Sequence, residues 1–67
     1  MMTLEVNGER RDVSSAITVA DLVHELGLPG STLLIEHNGT ALLRSDWAGT
    51  AISNDDRLEI LRVSAGG

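Results

Sequence analysis

Apolar and polar positions alternate at the start of this chain, switch to a helical period in the middle and alternate again toward the end. In Met2-Thr-Leu-Glu-Val6 the alternation puts Leu4 and Val6 on one face of a predicted strand. Asn7-Gly8 follows, and both residue types tolerate φ > 0, so the pair predicts a two-residue hairpin turn with Glu9–Val13 returning as the partner strand. Beyond Thr18 the period changes. Val19, Leu22, Val23 and Leu26 fall at i, i+3, i+4 and i+7, one apolar stripe of a helix, with Asp21, His24 and Glu25 on the opposite face. Thr18 reads as the N-cap, with Asp21 in the capping-box position. Gly27 is placed for the αL conformation past the last turn, Leu28 for the accompanying hydrophobic contact, and Pro29 as a stop.

The second half reads as strands again. Thr32–Glu36 is an apolar run of central-strand length, His37-Asn38-Gly39 a turn, and Ala41-Leu42-Leu43 a short strand. Ser45-Asp46-Trp47-Ala48 predicts a single helical turn capped by Ser45. Thr50–Ile52 predicts a brief extended piece, Asn54-Asp55-Asp56 a turn, and Arg57–Val63 the last strand. A hairpin, a helix and further strands, the last one long, is the order of an α+β, ubiquitin-like β-grasp. The expected sheet is mixed, of four to five strands, with one main helix on one face and the first and last strands parallel neighbours. Leu4, Val6, Leu58 and Ile60 then face the helix. Leu34, Leu61 and Val63 point to the open face, where they read either as a docking patch or as scattered exposed side chains.

Composition narrows the chemistry. Sixty-seven residues predict one domain, 1–67, with 64–67 as a flexible tail; a chain this short buries only about 60% of its unfolded surface. There is no cysteine, which excludes disulfides, thiolate metal sites and Cys nucleophiles. The only basic side chains besides two histidines are five arginines, against ten carboxylates, for a net charge of −5. That balance disfavours nucleic acid and suits a protein partner with a basic face. No apolar run approaches the roughly 20 residues of a membrane span, and a strand pattern already begins at Leu4, so a cytoplasmic protein is expected.

No catalytic residue and no metal ligand is assigned. His24 sits on the outer helix face and His37 beside a turn, neither with a visible triad partner or metal-ligand spacing. Asp46, Asp55 and Asp56 read as turn residues, and Trp47 as an anchor of a small core. No glycine-rich stretch leads into a helix through a Lys-Ser or Lys-Thr pair, so no phosphate loop is present. What remains is the end of the chain, Ser64-Ala65-Gly66-Gly67. Gly-Gly lacks β-carbons and can thread a narrow channel, delivering the Gly67 carboxylate to another protein's active site. A frayed end is the other reading. A carboxylate is a poor acyl electrophile, but adenylation with ATP gives a mixed anhydride that a sulfur nucleophile can open to a thiocarboxylate.

Val6-Asn7-Gly8-Glu9, Thr18-Val19 with Leu22 and Leu26-Gly27-Leu28, Asn38-Gly39, Arg44-Ser45-Asp46-Trp47-Ala48, Asp56-Arg57-Leu58-Glu59-Ile60 and Gly66-Gly67 together resemble the ThiS family. These are the sulfur carriers of thiamine (thiazole) biosynthesis. The likeness to the molybdopterin carrier family MoaD is weaker, since that family tends to be longer with more aromatic residues near the tail. The resemblance implies a carrier and not an enzyme. An E1-like adenylating enzyme (ThiF type) would bind and use ATP to adenylate Gly67, with Gly66 as the tail spacer and no cofactor on this chain. Sulfur would be relayed from a cysteine desulfurase, and thiazole synthase (ThiG type) would accept it. Leu34, Leu61 and Val63 are the expected partner-docking residues. A carrier for molybdopterin or another sulfur product, a ubiquitin-like protein modifier and an inert binding domain are the competing readings.

Overall fold

The computed structural model describes residues 2–14, 16–28 and 32–63. Its elements are β1 (Met2–Val6), β2 (Glu9–Val13), α1 (Val19–Glu25), β3 (Leu33–His37), β4 (Thr40–Leu42), a 3-10 helix (Arg44–Gly49) and β5 (Arg57–Arg62). Five strands form one sheet in the order β2-β1-β5-β3-β4. β1 and β5 are parallel, and the other three pairings are antiparallel. This is the β-grasp order expected from the sequence, with β5 at the centre.

Both Asn-Gly turns have the backbone that their residues favour: φ is +52° and +80° at Asn7 and Gly8, +49° and +85° at Asn38 and Gly39. Each asparagine does more than turn the chain. Asn7 leaves β1, yet its side-chain amide accepts from Ile60 N–H at 2.7 Å and donates to the Ile60 carbonyl at 3.0 Å. The amide thus extends the parallel ladder begun by Glu5 N–H to Asp56 and Asn7 N–H to Leu58. On the other flank Asn38 Oδ1 accepts from Arg57 N–H at 2.8 Å. β5 is therefore pinned from both sides by turn side chains.

The helix starts as its cap predicts. Thr18 Oγ1 accepts from Asp21 N–H, and Asp21 Oδ2 accepts from Thr18 N–H at 3.0 Å and Ile17 N–H at 3.1 Å. Those backbone donors, Ile17 first, hold the Asp21 carboxyl below its ordinary range. At the other end Gly27 has φ +70°, Gly27 N–H donates to His24 and Leu28 N–H to Val23. Pro29 lies outside the described residues. Val19, Leu22 and Val23 are buried against Leu4, Val6, Val13, Leu33, Ile35 and Leu58, with Trp47 and Ile52 closing the same core. Ile60 and Leu28 are partly buried at its margin. Trp47 is the core anchor expected, although its indole N–H has no acceptor among the described residues.

The bounds of four elements, and one cap, differ from the sequence reading. β3 begins at Leu33 and takes in His37; β4 runs one residue earlier than expected; β5 stops at Arg62, although Val63 N–H still donates to the Thr32 carbonyl at 2.7 Å. The helical turn is a six-residue 3-10 segment beginning at Arg44. Ser45 does not cap it: Asp46 Oδ2 accepts from Leu43 N–H at 2.9 Å, so the carboxylate satisfies the leading backbone donor. The extended piece at Thr50–Ile52 is present. Ala51 bridges Thr18, with Val19 N–H on Thr50 and Ile52 N–H on Ile17.

Candidate docking face and tail

Alternation along β5 sorts its side chains between two worlds. Leu58 is fully buried beneath the helix, while Leu61 on the opposite face is 63% exposed. Antiparallel register places Leu34 opposite Leu61 as a cross-strand pair, and Leu34 is 58% exposed. Val63, two residues beyond Leu61 toward the tail, is 41% exposed. The structure thus brings together all three residues expected on the open face. Leu34 and Leu61 border a shallow groove lined also by Glu36, Ala41, Leu42 and Glu59. Exposed leucines scattered over a surface mean little, but a cross-strand pair continued by a valine along one strand is a contiguous apolar strip. Gly66 and Gly67 lie outside the described residues, three and four positions past Val63.

The histidines divide. His24 is exposed on α1, as expected. His37, for which the sequence offered no partner, meets Asp56: Nε2 lies 2.7 Å from Oδ2. Asp56 also accepts from Asn38 Nδ2 at 3.0 Å and Ser53 N–H at 2.8 Å. Burial pushes the Asp56 carboxyl up; the donors from Asn38, His37 and Ser53 outweigh it and hold the carboxyl below its ordinary range. No sequence signal marks this contact, because the partners are 19 residues apart and meet only through the β3–β5 register. The cluster sits where β5 begins, at the opposite end of that strand from the tail, and it ties the Asn54-Asp55 turn to the sheet. Asp55 points elsewhere, to an exposed ion pair with Arg10 at 3.0 Å.

A depressed native pKa gives stability that is present above the unfolded value of about 3.9 and lost as pH falls through the lower native value. Asp56→Asn is therefore expected to cost about 1 kcal/mol at neutral pH, by leaving the donors from Asn38, His37 and Ser53 around a half-buried side chain badly matched. It should also flatten the loss of stability below about pH 4. Urea melts of both proteins between neutral pH and pH 3 check this; parallel curves would remove Asp56 as an acid-sensitive anchor.

The model of the ThiS family matches residues 4–67. The chain belongs to the ThiS family. A crystal structure of the thiamine biosynthesis protein (ThiS) of Geobacter metallireducens superposes with a TM-score of 0.85 at 30% identity, covering 98% of this chain and 100% of that one. A solution structure of a thiamine biosynthesis protein from the same organism gives 0.81, also at 30% identity, covering 98% of this chain and 88% of that one. The ThiS-family chain is also 36% identical over 66 residues to a protein named thiazole synthase in Paramagnetospirillum magneticum. That match takes in 98% of this chain but 20% of the relative, so the chain spans about a fifth of that protein's length. An uncharacterised protein, ycf40 of Trieres chinensis, is 29% identical over 97% of this chain and 89% of its own length. Among the described residues no helix is long and apolar enough to cross a membrane.

Proposed function

We infer that this ThiS-family chain is a sulfur carrier of thiamine biosynthesis, loaded at Gly67 and docked through the open face of its sheet. The carrying observation is the family match, which extends through Gly67, on a fold that exposes Leu61 on its last strand and Val63 just past it, before that tail. The thiazole synthase relative supports the choice of recipient, because a segment similar to this chain is part of that longer polypeptide.

The chemistry asks little of the domain itself. The Gly67 carboxylate attacks the α-phosphate of ATP held by a ThiF-type adenylating enzyme, releasing pyrophosphate and giving an acyl adenylate. The terminal sulfur of a persulfide, supplied through a cysteine desulfurase, attacks that carbonyl and AMP departs. A thiol attacks the donor-side sulfur of the resulting acyl disulfide, forming a new disulfide with the donor and freeing the thiocarboxylate. Thiocarboxylate sulfur then attacks the substrate of a ThiG-type thiazole synthase. Binding ATP, excluding water and stabilising the oxyanion fall to the enzymes; the carrier supplies a rigid grip and a thin acyl arm. Gly66 serves the arm, because a side chain there would obstruct a narrow channel.

Intact mass of the chain after incubation with ATP, a ThiF-type enzyme and a persulfide donor tests the reading. The expected gain equals one oxygen replaced by one sulfur, located to Gly67 by fragmentation. An unchanged mass, with the same enzyme loading a control carrier, would leave an ordinary binding domain.

A further inference from the structure

We propose that Asn7 is a positioning residue for the tail: its side-chain amide ties the last half of β5 to the end of β1, and so fixes the point from which the terminal arm leaves the domain. The inference rests on the carrier reading and concerns how the arm is aimed.

The two flanks of β5 are held unequally. Toward β3 the antiparallel register runs from His37–Leu58 to Leu33–Arg62, and Val63 N–H still reaches the Thr32 carbonyl. Toward β1 the register stops at Val6–Leu58, followed by a last backbone bond from Asn7 N–H to the Leu58 carbonyl. At Asn7 the chain turns away, with φ +52°. The Ile60 N–H and carbonyl would then face no strand, and one amide takes both. Asn7 Oδ1 accepts from the N–H at 2.7 Å, and Nδ2 donates to the carbonyl at 3.0 Å. A side chain thus stands in for one further residue of β1, three positions before Val63. Packing does not duplicate this hold. On the helix side the same stretch borders an open groove, lined in part by Val6, Leu26, Leu28 and Arg62, and Ile60 is only partly buried.

The consequence is mechanical. The exposed pair spans two strands, Leu34 on β3 and Leu61 on β5, whereas the arm continues β5 alone. A strand end bonded along one edge opens more readily than one bonded along both. Gly67 lies at most about 14 Å beyond Val63, and an error of about 1 Å at a reacting group can cost about 100-fold in rate. Asn38 supplies the control. It sits in the same kind of turn, with φ +49°, and its amide also holds β5, through Arg57 N–H and Asp56, but at the end of the strand away from the tail. Glycine accepts φ > 0 at either position and removes only the amide.

The test compares the parent, Asn7→Gly and Asn38→Gly as full-length chains. Hydrogen exchange should show the Ile60 amide exchanging about tenfold faster in Asn7→Gly than in Asn38→Gly. Loading by a ThiF-type enzyme, followed by intact mass at increasing carrier concentration, should show a maximal rate about tenfold lower for Asn7→Gly, with apparent KM within about threefold of the parent. Asn38→Gly should keep both parameters near parental. Asn7→Asp tolerates the same turn and keeps an acceptor for Ile60 N–H, so its rate should lie between parent and Asn7→Gly. Thermal melts establish which chains are folded at the assay temperature; if Asn7→Gly is not, Asn7→Asp against the parent carries the comparison. Equal falls in the two glycine variants would reduce Asn7 to a structural residue, and an Asn7→Gly chain loaded at the parental rate would overturn the positioning role outright. A parent that gains no sulfur from an enzyme competent on a control carrier removes the carrier reading, and the positioning role with it.

Discussion

One alanine added beyond Gly67 is expected to abolish sulfur loading. Adenylation needs the terminal carboxylate aligned with the α-phosphate, and misplacement of reacting groups by about 1 Å can cost about 100-fold in rate. An extra residue adds about 3.5 Å of reach and converts the Gly67 carboxylate into an amide. The enzyme would then meet a new carboxylate in the wrong place, on a residue carrying a β-carbon. Docking should persist, because Leu34, Leu61 and Val63 belong to the body of the domain and not to its last four residues. The extended chain is thus expected to compete with the parent for the adenylating enzyme while staying unmodified itself. Loading time courses followed by intact mass, with extended chain added in increasing amounts, measure both effects. An extended chain that gains sulfur at its new terminus, at anything near the parental rate, would sink the proposed mechanism.

How much of this could be read from residues alone depends on the range of the interaction. Asn7-Gly8, Asn38-Gly39, the Thr18–Asp21 box and Gly27 encode their geometry within four residues, and each forms as the sequence predicts. The exposed strip was legible too. Alternation along β5 separates Leu58 from Leu61 without knowledge of the partner strands. What escaped needed the register. His37 and Asp56, Asn7 and Ile60, and Glu36 and Glu59 meet only once β5 is laid between β1 and β3. The 3-10 cap failed for a different reason. Ser45 and Asp46 are both good capping residues, and the helix starting one residue earlier handed the role to the carboxylate. The tail chemistry was legible only through the ordered set of motifs that carries the family likeness, because Gly-Gly by itself fits several fates.

Two leucines three residues apart on β5 make the clearest separation of folding from function. Leu58→Ala is expected to cost about 2–5 kcal/mol, since it removes a fully buried side chain from the central strand and leaves a cavity between β1, β3 and the helix. A chain of this length has about 3–10 kcal/mol of stability in all, so the variant should melt at least about 10 °C lower and be partly unfolded when warm. Leu61→Asp touches no core. Its stability should stay within about 0.5–1 kcal/mol of the parent, the small loss coming from a third carboxylate near Glu36 and Glu59. Its loading rate at limiting enzyme should instead fall about 100-fold, because an apolar contact becomes a charge that docking must desolvate. Circular dichroism melts and loading rates on the same samples separate the two outcomes. A Leu58→Ala protein that melts with the parent would contradict its burial, and a Leu61→Asp protein loaded at the parental rate would remove the open face from the docking scheme. The reason one strand can serve both ends is geometric: its pleat gives every second side chain to the core, which frees the alternate ones, nearest the tail, for a partner.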